Sequence, residues 1–235
     1  MRGDEIIQQI QAHFPKAEPG RLFFAKKNIL LEETYGFTPE NTRFAEGGCC
    51  DEINEPELEL LQRYWGGRFK FGGLAGYCHG GRSALGAVSH HVPEVNGQKN
   101  LLLVGGPHIG LHQGRWGEIP RPGQQEITTS CGSLCAVLHA GCDALRNKAE
   151  DPLDRQQRVV EQIMLPFLLE HKNAGHLPEV VAATRFLMKR IDDDLFSILT
   201  DLTNRFDGQI AVITGVTVNT VEGNFFSLSR FEVLS

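Results

Sequence analysis

Three short islands carry the residues best suited to chemistry: Cys49-Cys50-Asp51-Glu52-Ile53-Asn54, Ser89-His90-His91-Val92-Pro93 and Ser130-Cys131-Gly132-Ser133. Two thiolates and one imidazole suit zinc, and three protein ligands leave the fourth tetrahedral position open, the stoichiometry of a catalytic rather than a structural site. Cys131 also suits a second chemistry. Placed just before a helix, its thiolate would be favoured by unpaired N–H groups and the helix dipole. The competing arrangement is therefore a cysteine-nucleophile hydrolase, with Cys131 activated by His90 or His91 and oriented by Asp51. Cysteine is also among the most often buried residue types, and no two residues of these islands form a C-x-x-C or H-x-x-C pair. Spacing alone leaves zinc, thiol chemistry and plain core packing open.

The elements that must position these islands fall into three zones. Up to about residue 65 the pattern is mostly helical, with Ile6, Ile7, Ile10 and Phe14 at helical spacing. Within it, Asn54 and Glu57 predict a capping box ahead of Leu58, Leu61 and Trp65, with Pro56 in the first turn. Residues 66 to 131 are glycine-rich and predict strands at Arg68 to Leu74, Leu85 to His91 and Asn100 to Gly105. Beyond Gly132 the periodicity predicts helices over 132–147, 153–173 and 177–205, then strands at Gln209 to Asn219 and Phe225 to Leu234. With no internal repeat or Ser/Pro-rich linker, residues 1–235 read as one α/β domain, helices packed on a mixed sheet.

Composition narrows the function classes. The chain has 235 residues, 41% hydrophobic and 22% charged, enough apolar material for a sizeable core. Its 23 basic and 29 acidic residues give a formal net charge of -6, which argues against nucleic acid as a partner. No apolar run approaches the roughly 20 residues of a membrane-spanning helix, and the N-terminus resembles neither a signal nor a transit peptide. A cytoplasmic location is expected, or the chloroplast stroma for an algal chain whose transit peptide has been removed. In that setting cysteines mixed with histidines point to metal or catalysis before disulfides. All six cysteines precede residue 143. Cys135 and Cys142 fall on the apolar face of a predicted helix and are read as core, while Cys50 and Cys78 stay open.

Six ordered islands carry a family resemblance. They are Phe37-Thr38-Pro39-Glu40-Asn41-Thr42, the Cys49 island, Gly72-Gly73-Leu74-Ala75-Gly76, the His90-His91 island, Gly106-Pro107-His108-Ile109-Gly110 and Cys131-Gly132-Ser133. Together, over about residues 37 to 140, the chain resembles the limiting-CO2-inducible B/C proteins, a divergent group of β-type carbonic anhydrases of algae and some bacteria. The resemblance implies a β-carbonic anhydrase-like mixed sheet flanked by helices, a homodimer, and zinc-dependent reversible hydration of CO2 to bicarbonate, with hydroxide on the zinc as nucleophile. Cys49 and Cys131 map onto two ligands. The imidazole is His90 or His91, with His91 the first choice, because neighbours in a strand face opposite ways.

Asp51 maps onto the carboxylate that accepts a hydrogen bond from the nucleophile. The usual C-x-D-x-R pattern is broken, because Ile53 stands where an arginine would hold that aspartate. Arg121 is the first choice of replacement and Arg82 the second. His79 and His108 are candidates for passing the product proton to solvent. Neither glycine-rich stretch matches a phosphate loop, and Asp192-Asp193-Asp194 reads as a solvated helix edge. A family member that keeps the zinc but only binds bicarbonate or CO2 is the remaining alternative.

Overall fold

The structure, a computed structural model, describes residues 3–173 and 179–235. Its helices are α1 (Gly3–His13), α2 (Gly20–Tyr35), α3 (Glu55–Trp65), α4 (Gly81–Ser89), α5 (Gly132–Arg146), α6 (Arg155–Asn173) and α7 (Val180–Thr203). The longer strands are β2 (Thr42–Gly48), β5 (Gln98–Gly106), β6 (His108–His112), β10 (Gln209–Thr220) and β11 (Gly223–Leu234). Short strands complete the set: β1 (Glu18–Pro19), β3 (Arg68–Lys70), β4 (Glu94–Val95), β7 (Arg115–Trp116), β8 (Glu118–Pro120) and β9 (Ile127–Thr129).

The main sheet runs β1-β11-β10-β5-β2-β3. Strands β3, β2, β5 and β10 are parallel, whereas β10 and β11 form an antiparallel hairpin. Parallel strands are covered on both faces and so need continuous apolar runs. Leu101, Leu102, Leu103 and Val104 of β5 meet that need with exposures of 0–3%. Alternation sends Leu101 and Leu103 with Ile210 and Val212 toward α4 and α7, and Leu102 and Val104 with Ala211 and Ile213 toward α2 and α3. A further cluster joins α1, α5, α6 and the first half of α7 to Ile109, Val216 and Val218 at the end of the sheet. Among the described residues no helix is long and apolar enough to cross a membrane.

The strand β5 does not continue into β6. Gly106 has φ +141°, and a Cβ there would lie 1.9 Å from the Gly215 carbonyl oxygen, so only glycine fits the bend. Pro107 follows without an N–H to continue the ladder. The chain then rejoins the same neighbour farther along: β10 pairs with β5 through Thr214 and with β6 from Thr217, which faces His108.

The mixed α/β sheet and the late helices follow the sequence pattern, with residues 177 and 178 of the third predicted helix outside the described residues. Three local expectations are corrected. The segment Leu85 to His91 is not a strand: its buried Leu85 and Val88 stand three apart on α4, and His90 and His91 follow in an exposed turn. The segment from Arg68 keeps strand form only to Lys70. The capping box does not form, because Asn54 donates to the Asp51 carbonyl and Glu57 accepts from Asn224 instead. The first zone also holds β2, whose polar Thr42, Arg43 and Glu46 mask a central strand.

Candidate metal centre

The parallel strands deliver the candidate residues to their carboxyl ends, where sites gather in α/β sheets. Cys49 follows β2, His108 opens β6 just past the end of β5, and Cys131 is the N-cap of α5. All three are buried. The Cys49 and Cys131 Sγ atoms lie 3.9 Å apart, and each has a ligand atom within 4.8 Å of the others, the third being an imidazole nitrogen of His108. Zinc bonded to sulfur at about 2.3 Å in tetrahedral geometry separates two thiolates by roughly 3.8 Å. The buried His108 Nε2 has no hydrogen-bond partner, and a buried nitrogen so left is costly unless something outside the protein satisfies it. Sulfur spacing, donor chemistry and the orphaned nitrogen all fit a zinc ion.

The two thiols divide one task. The Cys131 thiol sits below its ordinary range because the Cys49 thiol donates to it, with backbone N–H groups of Leu134 and Ser133 helping against burial. Cys49 is pushed well up by donating that hydrogen bond and by burial. The two sulfurs thus share a hydrogen bond, and a divalent cation would displace the thiol protons on binding.

Asp51 stands beside this trio, its Oδ2 3.6 Å from His108 Nε2. Arg121 grips it with both ends of its fork, Nη1 on Oδ1 at 2.6 Å and Nη2 on Oδ2 at 2.8 Å. The guanidinium is itself held by Thr128 Oγ1 at 2.9 Å and pairs with Glu52. Burial pushes the Asp51 carboxyl up, but the Arg121 hydrogen bonds and the charges of His108 and Arg121 outweigh it and keep the group below the ordinary carboxylate value. Arg121 thus fills the place that Ile53 vacates. Arg82 is far from that role, bonded on the surface to Asp201 at 2.5 Å and to Ser197.

The histidine assignment is corrected. His90 and His91 lie in the exposed turn after α4, where the His91 carbonyl accepts from Arg43 and its ring meets Phe69. Neither joins the Cys49–Cys131 pair, because the segment is a helix ending away from the strand tips. His108, read from sequence as a proton carrier, is the buried imidazole of the cluster. His79 stays half-buried with Nε2 3.2 Å from the Leu74 carbonyl oxygen. Cys135 and Cys142 are core as expected; Cys78 is buried against α4 and α7, and Cys50 is exposed. Two spaces adjoin the centre. A cavity of about 30 Å3 touches Cys49 and is walled by Phe24, Leu58, Val104 and Phe226. A groove of about 790 Å3 passes Arg121, Ile53 and Asn219.

The sequence profile described as limiting CO2-inducible proteins B/C beta carbonic anhydrases matches residues 21–235. The solved structure of PtLCIB4, a homolog of the limiting CO2-inducible protein LCIB, is similar at 31% identity and TM-score 0.85, covering 97% of this chain and 94% of its own. The structure of LCIB itself shares the fold, with 22% identity, TM-score 0.74 and coverage of 99% and 95%. No curated protein sequence matches. The chain therefore belongs to the family of limiting CO2-inducible proteins B/C, the beta carbonic anhydrases of that description.

Proposed function

We propose that this protein hydrates CO2 reversibly to bicarbonate and a proton at a zinc ion held by Cys49, His108 and Cys131. The observation that carries this reading is the buried trio with its orphaned His108 Nε2, set beside an aspartate that a bidentate arginine holds ionised. When bound, zinc supplies the Lewis acidity that makes water nucleophilic at neutral pH. The chain's own residues do the rest. Asp51, an acceptor because it is ionised, takes a hydrogen bond from the attacking water and aims its lone pair. Arg121 stops the carboxylate from swinging toward His108 Nε2 and the two sulfurs. The small apolar cavity against Cys49 suits an uncharged molecule of three atoms, and the groove beside Arg121 offers an anion a path outward.

A cysteine-nucleophile hydrolase fits less well, since Cys131 is 2% exposed and its sulfur faces Cys49 rather than a substrate cleft. The test is metal content read beside a CO2 hydration assay on the purified chain. One zinc per chain with rapid hydration is expected, and Cys49→Ser or Cys131→Ser should remove both. A zinc-free wild type would favour thiol chemistry; zinc without hydration would leave a silent binding protein. The family also motivates a homodimer, which sedimentation of the purified chain would check.

A further inference from the structure

Behind His108 lies a run of three asparagines, the buried Asn219 and Asn54 and the half-buried Asn224, that no catalytic step above uses. His108 Nδ1 is 2.8 Å from Asn219 Oδ1 and 3.1 Å from Ser130 Oγ. His108, Asn219 and Ser130 are each at most 1% exposed. Water cannot substitute for these partners, so the placement of every proton along the run has consequences.

The proton positions follow from the far end. Asn224 Nδ2 donates to the Ile53 carbonyl at 3.0 Å and to Glu57 Oε2 at 2.5 Å. Asn54 Nδ2 donates to the Asp51 carbonyl at 3.2 Å. Main-chain carbonyls only accept, so both amides are pinned with their oxygens turned the other way. Those two oxygens receive the Asn219 amide, at 3.0 Å from Asn224 Oδ1 and 3.2 Å from Asn54 Oδ1. With both its N–H groups committed, Asn219 presents only its oxygen to His108. That oxygen cannot donate, and a bare Nδ1 only 2.8 Å away would set lone pair against lone pair; Nδ1 therefore carries the hydrogen, Ser130 Oγ is left to accept, and in the neutral ring Nε2 keeps its lone pair.

We infer that Asn219, locked by Asn54 and Asn224, is a positioning residue that fixes the Nδ1–H tautomer and the ring orientation of His108, presenting the Nε2 lone pair toward Cys49 and Cys131. The inference rests on the metal-centre reading for its purpose, while the tautomer stands on the hydrogen bonds alone. Most metal-binding histidines are oriented through their second nitrogen by a carboxylate or a main-chain carbonyl. Here a neutral side-chain amide does that work and adds no charge to the buried centre. Two of its anchors, Asn54 and the Ile53 carbonyl, belong to the turn that carries Asp51, so one network sets both the imidazole and the segment bearing the carboxylate.

The test uses the full-length chain. Long-range proton–nitrogen NMR on the chelator-stripped wild type, taken at a pH where the His108 ring is neutral, should show hydrogen on Nδ1 and none on Nε2; a neutral ring with its hydrogen on Nε2 overturns the inference with no variant needed. Zinc affinity, measured by competition with a chromophoric chelator, should fall roughly 10–100-fold in Asn219→Ala. Asn224→Ala, which leaves the His108 contact but removes a lock, should fall by less. Wild-type affinity together with an unchanged tautomer in Asn219→Ala would sink the positioning role. Should the wild type bind no zinc, the metal reading fails by itself, and the tautomer shift between wild type and Asn219→Ala still decides this one.

Discussion

Replacing Arg121 by methionine, which keeps much of the side-chain length but removes the fork, tests the central pairing. The change deletes hydrogen bonds of 2.6 and 2.8 Å to Asp51 from a pair whose side chains are each 12% exposed. Hydrogen bonds to charged groups contribute about 1.5–3 kcal/mol each, and stripping one partner from a buried pair costs about 3–5 kcal/mol. Residual solvent contact reduces that, so the expected loss is about 2–4 kcal/mol. At roughly 2–4 °C per kcal/mol for a chain of this size, Tm should drop by about 5–15 °C. Zinc content should stay at the wild-type level, because no ligand is touched, while CO2 hydration falls roughly 10–100-fold as Asp51 loses its aim. Stopped-flow hydration with a pH indicator, thermal melts and metal analysis read all three. An Asp51→Asn, Arg121→Met double variant should be less destabilised than the sum of the single changes by about 0.5–3 kcal/mol. Wild-type turnover in Arg121→Met, or strict additivity in the cycle, would refute the reasoning.

Other outcomes follow from the same geometry. His108→Ala should abolish stoichiometric zinc, whereas His90→Ala and His91→Ala should leave it unchanged by atomic emission; zinc loss in either of the latter would restore the strand reading of that segment. Gly106→Ala places a Cβ 1.9 Å from the Gly215 carbonyl oxygen, and should cost zinc binding as well as stability, visible as lower metal content in whatever fraction folds. Glu55 is held below its ordinary 4.5 chiefly by hydrogen bonds from Arg68, with burial opposing. A depressed carboxylate contributes stability above its unfolded value and loses it as pH falls through the folded one. Chemical denaturation should therefore show wild type and Glu55→Gln converging on acidification; a gap that widens would reverse the sign.

The sequence made some of this site legible and hid the rest for definable reasons. Cys49, Asp51 and Cys131 were readable because thiols and a carboxylate gather in two short islands, one of them directly before a helical pattern. Arg121 could be singled out only through the family pattern, since seventy positions separate it from Asp51. The histidine was misplaced because Leu85 to His91 contains enough apolar residues to imitate a strand, while its buried pair, Leu85 and Val88, obeys helical spacing. A signal for His108 did exist: it lies directly after a Gly-Gly-Pro break that ends the apolar run Leu101 to Val104. Main-chain punctuation at the tip of a central parallel strand outranks a pair of adjacent histidines as a pointer to a site. Asn54 shows the opposite limit, because a residue that looks like a helix cap locally was recruited by Asp51 and Asn219, which no local pattern reveals.

The bend at Gly106 and Pro107 makes β10 a ruler. Because one uninterrupted strand receives first β5 and then β6, the spacing from Val104 to His108 is measured against a fixed scale of paired positions. Inserting or deleting one residue there would turn the imidazole to the opposite face of the sheet, and no compensating substitution elsewhere could return it. Among family members this stretch should therefore tolerate exchange of side chains at some positions yet hold its length constant, so that gaps in an alignment fall outside it.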